Sequence, residues 1–471
     1  MNILLVNPSS PGIYEWAGVK LPPLGLAYLA SVLREDGHGV RITDLQVERP
    51  DILNQKIAQC DLVGITSESN KVFRALDIAR LARQKGKKVV MGGYHATFRD
   101  QEILLSSIVD YVVKGEGEYT FRELIRRLEN GKAISDIPGV SLLFNGRFHT
   151  NPIPPPPDDL DALPLPARDL LPLSKYWMTQ IDGEPLLNVV TSRGCPHACS
   201  FCASSSFAGR KWRTRSPENI VKELEQLYFD YGFRGFAFMD DNFTLRPERV
   251  EAITNSIKKR GMNMKWWCFS RVDTLLKNAS LVQNMASAGL RMVYLGLESA
   301  DPRALKAYGK RITTEVSKLA VELLHSHGVK VLGSFILGNI NDTRTSVMKT
   351  IDYAKGLNLD LAQFSALTPF PGTRLFQEAT RDNRLTSVNW NLFDGGHPVL
   401  RGDHLHPREL HKLIVKAYLN FYRQGKQAGN VFGFLRKFAS TRIPPLRFFK
   451  EVSYRRKRIR NAAEAGQTVS L

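Results

Sequence analysis

Along the first 130 or so residues, short apolar runs alternate with longer stretches whose apolar positions recur at helical spacing. The runs are "NILLVN", "VRITDL", "LVGITS", "KVVMGG" and "DYVVKGEG". Between them lie "PLGLAYLASVLREDGH", "FRALDIARLARQKGK" and "YTFRELIRRLENG", in which apolar residues return every three or four positions. Strands of continuous apolar character separated by helices predict a doubly wound, flavodoxin-like parallel sheet over residues 1–135. Ligands of such sheets bind beyond the carboxyl ends of the strands. In this chain those ends are residues 7–14, 66–70, 92–96 and 115–118.

The pattern then changes. "SLLFNGRFHTNP" predicts a hairpin turning on Asn145-Gly146, and "IPPPPDDLDALPLPARDLLPL" is too rich in proline for regular structure, so residues 136–184 read as a connector. From 185 to 380 a second strand–helix series runs through "LLNVVTS", "FRGFAFMDD", "KWWCFSRVD", "MVYLGLES", "VKVLGSFILG" and "LAQFSALTPF". Six such units predict a partial (β/α)6 barrel, two short of the usual eight, with its active face where the strands end. Residues 381–471 form a helical C-terminal region, in which Trp390, Phe393 and His397 are candidates either to line a substrate or to pack.

The first barrel strand runs directly into "TSRGCPHACSFCASSS", which sets Cys195, Cys199 and Cys202 in a C-x3-C-x2-C run. Thiolates at this spacing suit zinc or an iron–sulfur cluster. A closed zinc site needs a fourth ligand, for which His197 is the local candidate. A cluster held by three thiolates keeps one iron open for a small molecule. Cys60 and Cys268 fall next to or inside apolar strands and read as packing residues.

This cysteine run, with Phe201 before its last cysteine and placed after the first strand of a partial barrel, resembles that of the radical S-adenosylmethionine superfamily. The resemblance implies a [4Fe-4S] cluster on Cys195, Cys199 and Cys202, with S-adenosylmethionine chelating the open iron. It further implies that an electron from the cluster cleaves the sulfonium to a 5′-deoxyadenosyl radical, so a reducing partner such as flavodoxin or ferredoxin is expected. By the same resemblance, Phe201, Asp240 in "FMDDN", Ser270, Arg271, Glu298 in "LGLES", and Gly333 and Gly338 in "GSFILG" contact S-adenosylmethionine. The family usually has Gly-Gly-Glu where this chain has Asp240. "TPFPGTRLF", with Pro371 and Gly372, resembles the sixth-strand turn.

"PPLGLAYLASVLREDGH", "GITS", "GGYHAT" and "DYVVKGEGE" together resemble the cobalamin-binding domain fused to many of these enzymes. That implies cobalamin contacts from Ser9, Thr66, Ser67, Gly92, Gly93, His95, Gly115 and Glu116. No G-x-G-x-x-G nucleotide fingerprint follows the first strand. The Asp-x-His-x-x-Gly loop that ligates cobalt from below in some cobalamin domains is replaced by "NPSSPGIYEWAG", which has no histidine. His95 is therefore expected as a hydrogen-bonding wall residue, with the loop from Ser9 to Trp16 under or beside the ring.

Enzymes of this arrangement are commonly methyltransferases. The resemblance implies methylation of an unactivated carbon, with ring formation or carbon–carbon coupling on a tetrapyrrole or lipid as the alternative. A cobalamin sensor with a vestigial barrel would not need the three cysteines and the strand-end carboxylates.

Composition adds a location and a partner. The 471 residues are 43% hydrophobic and 24% charged, a globular balance. No apolar run approaches the roughly 20 residues needed to span a bilayer. "MNILLVNPSSPG" lacks the basic start of a signal peptide. Five cysteines, three of them clustered, suit a reducing cytoplasm. The formal charge is +19, and residues 436–460 carry ten Lys or Arg against the single Glu451. Phe434, Phe438, Leu446, Phe448 and Phe449 interleave with those charges, a composition suited to peripheral contact with an anionic membrane face. No RNA-binding signature accompanies it, so no nucleic acid is expected. The tail tilts the substrate expectation, open among lipid, tetrapyrrole and peptide, toward a lipid.

Overall fold

The computed structural model describes residues 1–9 and 19–423, so most of the 9–16 loop and the basic 436–460 tail lie outside the described residues. The chain divides into two compact units, Met1–Phe421 and Tyr422–Leu471.

Five parallel strands open the fold: β1 (Asn2–Asn7), β2 (Gly39–Asp44), β3 (Leu62–Thr66), β4 (Lys88–Gly92) and β5 (Tyr111–Val113). They lie in the order β2-β1-β3-β4-β5. Ile3, Leu4, Leu5 and Val6 are all buried, because helices cover both faces of the sheet. That is why the strand reads as an unbroken apolar run rather than an alternation.

The predicted hairpin is present as β6 (Val140–Phe144) and β7 (Arg147–Thr150), with Asn145 at φ 49° and Gly146 at φ 74°. Positive φ at both turn residues is what a two-residue type I′ hairpin requires. The hairpin is not a free connector, however. β6 pairs antiparallel with β5, Val112 opposite Ser141, and extends the first sheet to seven strands. Val140 and Leu142 join the apolar core beneath it, which fixes the register. The proline-rich stretch after it has no regular structure until the single turn Arg168–Leu170.

The second sheet begins with a short antiparallel pair, β8 (Gln180–Ile181) and β9 (Glu184–Val189). A small two-stranded ribbon, β10 (Ser192–Arg193) and β11 (Arg213–Thr214), brackets the cysteine loop. Then follow β12 (Gly235–Phe238), β13 (Lys265–Ser270), β14 (Leu290–Glu298), β15 (Lys330–Leu337) and β16 (Leu361–Ala366). Six parallel strands, β9-β12-β13-β14-β15-β16, form the open barrel sheet, flanked by β8. Caps define its helices: Ser216 accepts from Asn219 N ahead of helix Pro217–Glu225, and Thr343 and Ser346 form a capping box ahead of helix Arg344–Gly356.

The C-terminal segment returns to the first sheet. Trp390, Phe393 and Val399 are buried in the same cluster as Leu4, Val6, Ile65 and Met91. Trp390 and Phe393 therefore pack, and Trp390 Nε1 donates to Glu102 Oε1 at 2.8 Å. His397 is held by both carboxylate oxygens of Asp394, each at 3.0 Å. Cys60 and Cys268 are buried, as packing residues should be. No helix of the described residues is long and apolar enough to cross a membrane.

A buried charge cluster ties these parts together. Glu223, on helix Pro217–Glu225, accepts from Arg168 of the connector at 2.6 Å and from Arg215. Arg168 also donates to Asn188 O on β9 at 2.7 Å, and Arg215 reaches Tyr28 of the first domain at 3.4 Å. Burial pushes the Glu223 carboxyl up, but Arg168 and Arg215 outweigh it and hold it below the ordinary carboxylate range. Its stability contribution is thus complete above that range and is lost as the pH falls through the depressed value. Glu223→Gln strands two buried guanidinium groups and should cost about 3–5 kcal/mol. Chemical denaturation at neutral pH should show that loss, and the variant's stability should depend less on acid than that of the wild type.

Candidate active site

Both sheets turn the carboxyl ends of their strands toward one cavity, with about 1210 Å³ of atom-free space counting its mouth. On the first-domain side it is lined by Thr66, Gly92, Gly93, Tyr94 and residues 115–118, at the ends of β3, β4 and β5. On the barrel side it meets Val190, Ser192, Arg193, Gly194, Phe207, Met239 and Asp241. An apolar slot lined by Leu5, Leu26, Leu29, Val90, Val113 and Phe121 continues it along the first sheet.

Missing side chains make the cradle. Gly93 has φ 91°, and a Cβ there would lie 2.8 Å from Thr66 Oγ1 and 2.9 Å from Ser67 O. At Gly64 a Cβ would meet Leu5 and Phe121 inside the slot, at 2.8 and 3.4 Å. A broad mouth floored by backbone, opening into an apolar slot, fits a large flat ring with an aromatic tail. Of the expected cobalamin residues, Thr66, Gly92, Gly93, Gly115 and Glu116 line this space. Ser67 is buried behind it, with its hydroxyl donating to Gly92 O at 3.1 Å. Ser9 is half-buried and does not line it.

His95 also lies behind the cavity wall. Its Nδ1 is 3.0 Å from Ser69 Oγ, its ring meets the Trp390 edge at 4.7 Å, and its Nε2 is buried without a hydrogen-bond partner. Burial pushes its imidazole down to about 4. His95 thus packs behind the cavity wall on Ser69 and Trp390, with one side-chain hydrogen bond.

Cys195, Cys199 and Cys202 are free, half-buried thiols on the loop between β10 and helix Ala203–Phe207. Gly194, at φ 84°, lets the loop turn against Lys211 O, where a Cβ would collide. Segment 307–310 grips the loop from outside: Ser200 N donates to Tyr308 O at 3.3 Å and Ser200 Oγ to Ala307 O at 3.1 Å. His197, inside the run, keeps a buried Nε2 with no partner. Burial pushes the Cys195 thiol up to about 11 and raises that of Cys199, so in the absence of a bound cation both hold their protons at neutral pH. The three thiols share one strand-end loop whose flanking residues Arg193, Gly194 and Phe207 line the cavity. Among the described residues no three His, Cys, Asp or Glu side chains are gathered closely enough to hold a metal ion as they stand.

The residues expected to meet S-adenosylmethionine divide. Asp240 is fully buried, accepting from Thr191 N at 2.7 Å, Ser192 Oγ at 2.6 Å and Thr191 Oγ1, so it anchors the approach to the cysteine loop. Its neighbour Asp241 is the strand-end carboxylate that faces the cavity. Burial pushes the Asp241 carboxyl up, against a hydrogen bond from Ser204. In "FMDDN" two adjacent acids were visible, but which of them points outward depends on strand register. Glu298 is buried and paired with Lys310, a residue that sequence reasoning missed. Ser270 sits 2.5 Å from Thr244 Oγ1, and Arg271 bonds Asp273 at 3.0 Å. Phe201 packs edge-on against Tyr308 at 5.3 Å. Gly333 opens onto Leu297 and Leu359, and Gly338 onto Leu410, so both make room for packing side chains.

The Radical SAM superfamily profile matches residues 189–354, and the B12 binding domain profile matches residues 14–125. An uncharacterized methyltransferase of Pyrococcus horikoshii is 40% identical over 436 residues, 90% of this chain and 93% of that protein. The chain belongs to the cobalamin-binding radical S-adenosylmethionine enzymes. Among these enzymes, the hopanoid C-3 methylase of Methylococcus capsulatus is 30% identical over 85% of this chain and 76% of its own. The anaerobic magnesium-protoporphyrin IX monomethyl ester cyclase of Rubrivivax gelatinosus is 28% identical over 90% and 77%. The solved methyltransferase TsrM from Kitasatospora setae, with cobalamin and a [4Fe-4S] cluster bound, shares the fold. It superimposes with TM-score 0.69 at 20% identity, covering 88% of this chain and 82% of that one.

This radical S-adenosylmethionine enzyme accordingly uses a [4Fe-4S] cluster, S-adenosylmethionine and cobalamin. Gly93 lines the cavity at a left-handed φ with little room for a side chain, and so offers a test of the cobalamin site. Gly93→Ala adds a methyl group between Thr66 and Ser67 at a backbone angle that costs roughly 1–3 kcal/mol. Equilibrium dialysis should show cobalamin affinity reduced tenfold or more, with iron content unchanged.

Proposed function

We propose that the protein is a cobalamin-dependent radical S-adenosylmethionine methyltransferase that adds a methyl group to an unactivated carbon of a hydrophobic substrate, a lipid being favoured. The observation that carries this reading is the single cavity faced by both the glycine cradle and the cysteine-loop segment. Methyl transfer to such a carbon requires the hydrogen-removing and methyl-donating groups to converge on one atom. When bound, the reduced cluster and S-adenosylmethionine supply the hydrogen-abstracting radical, and cobalamin supplies the methyl group.

The residues of the chain provide placement. Asp240 fixes Thr191 and Ser192 just before the cysteine run. Asp241 and the half-exposed Tyr94 ring, stacked on Phe207 at 4.2 Å, border the space between the two cofactor sites. The helix-free face of the barrel sheet supports an apolar substrate. Trp266 Nε1 donates to Ala288 O beside helix Ala279–Ser287, so by strand alternation Trp267 and Phe269 look the other way. Trp267, Phe269 and Tyr294 form a continuous aromatic wall there, with ring centres 5.0 and 4.7 Å apart. Such a wall suits a large apolar ring system.

Anaerobic reconstitution with cobalamin and methyl-labelled S-adenosylmethionine, offered lipid and protein extracts of the host, tests the reaction. S-adenosylhomocysteine and 5′-deoxyadenosine should appear together, with label in a lipid fraction. 5′-Deoxyadenosine without S-adenosylhomocysteine would favour the alternative, a cyclase or coupling enzyme. Cys195→Ala, Cys199→Ala or Cys202→Ala should abolish the cluster and 5′-deoxyadenosine while leaving cobalamin bound.

The lipid preference rests on the composition of residues 436–460. About 1 kcal/mol per basic residue near an anionic surface is available to such a segment. Full-length protein should sediment with anionic vesicles and be released by salt. Protein ending at residue 430 should remain in the supernatant yet keep its cluster and cobalamin. Equal, salt-insensitive partitioning of both forms would remove the argument for a membrane lipid.

A further inference from the structure

The cysteine loop is held by the cobalamin domain as well as by its own barrel. Arg193 stands two residues before Cys195. Its guanidinium donates to Glu116 Oε2 at 2.9 Å and to Glu118 Oε1 at 2.7 Å, both from the segment after β5. Arg213, on the ribbon strand β11, donates to Glu116 Oε2 at 3.0 Å and also to its other oxygen. The Tyr28 ring lies 5.2 Å from the Arg193 guanidinium. None of the four charged side chains is more than 15% exposed. Burial pushes the Glu116 carboxyl up, but Arg213 and Arg193 outweigh it and hold it below the ordinary range.

Two acids and two guanidinium groups form a neutral, buried chain of three ion pairs, Glu118–Arg193–Glu116–Arg213. Desolvating four charges costs several kcal/mol per ion and is offset only while every bond is made. The arrangement therefore resists partial opening: either loop can shift only by exposing or stranding the charges of the other. The acids of this ion-pair chain lie on residues 115–118, which line the cavity on the first-domain side, and Arg193 lies on the segment that runs into Cys195. Glu116 thus spends both its oxygens on arginines rather than on a cofactor.

We propose that Glu116, Glu118, Arg193 and Arg213 form a coupling clamp, through which filling the cobalamin site and filling the cluster site favour one another. The four are positioning residues. The inference concerns the two cofactor sites and is independent of which carbon is methylated. Linkage sets the form of the test: if each loop orders the other, the cluster must raise cobalamin affinity by some factor, and cobalamin must raise cluster affinity by the same factor.

The measurement is the dissociation constant of cobalamin by anaerobic dialysis, for full-length protein with and without its reconstituted cluster. The wild type should bind cobalamin on the order of 10-fold more tightly with the cluster present, within the usual range of about 5–150-fold for coupled sites. In Glu116→Gln that ratio should fall to near one. A merely structural residue would weaken cobalamin binding in both forms and leave the ratio alone. Glu118→Gln removes a single bond to Arg193 and spares the Glu116–Arg213 pair, so it provides a folded variant where Glu116→Gln does not; its ratio should be intermediate. A wild-type ratio of one, or a ratio unchanged in Glu118→Gln, would overturn the clamp.

Discussion

The connector, the segment after the cysteine ribbon and the first domain meet at the buried carboxylate of Glu223. It is the common acceptor for an arginine of the connector and an arginine that follows the cysteine ribbon. Through them it fixes β9 and touches Tyr28 of the first domain. Asn188 of β9 adds a bond to Pro22 O at 2.8 Å. Two parallel sheets can each place a site beyond their strand ends, but nothing in either sheet makes those ends face one another. The Glu223 cluster, the Asn188 bond and the Glu116 and Glu118 pairs with Arg193 and Arg213 are polar contacts that cross between them. A buried ion pair is a poor source of net stability and a strong source of geometric definition, because any other arrangement leaves a charge unpaired in a low-dielectric interior.

The cysteine loop is consequently fixed from several directions by different kinds of force. Asp240 ties down residues 191 and 192 with three hydrogen bonds, Arg193 is drawn toward the first domain, and residues 307–310 close over Ser200. A loop of this length with glycine at φ 84° has little intrinsic rigidity. Its order is borrowed from neighbours remote in sequence.

That division explains what could be read from the residues alone. The apolar runs located β1 to β5 and the six parallel barrel strands within a few positions, because strands buried on both faces announce themselves locally. The cysteine spacing and the glycine-rich strand ends were equally local. What escaped was pairwise and distant. The Asn145-Gly146 hairpin was legible, but its pairing with β5 was not. Trp390 and Phe393 looked as suited to a substrate wall as to a core, and only the return of the chain to the first sheet decides for the core. Glu116 lines the cavity as its glycine neighbours suggested, but its pairing with two arginines was not legible. Nothing in its surroundings along the chain points to arginines 77 and 97 positions away. Between Asp240 and Asp241, the choice rests on which face of the strand end is buried.

Glu298 shows the same economy at the other end of the site. It has φ 62°, a left-handed conformation that a glutamate adopts at a cost of about 1–3 kcal/mol, and it follows a register shift where β14 meets β15. Lys310 holds it there, pairing with its carboxylate and donating to Gly296 O at 2.9 Å. Gly296 is required beneath them, since a Cβ would lie 2.5 Å from the lysine Nζ and 2.6 Å from Glu298 Oε1. The strain therefore has a purpose that the geometry makes explicit. A regular strand would carry residue 298 onward in alternation, whereas the bulge and the left-handed turn direct its carboxylate toward Lys310. The same segment, 307–310, is bonded to the cysteine loop. The strand end expected to meet S-adenosylmethionine and the loop that carries the cluster thiols are thus joined through one lysine and the helix end before it.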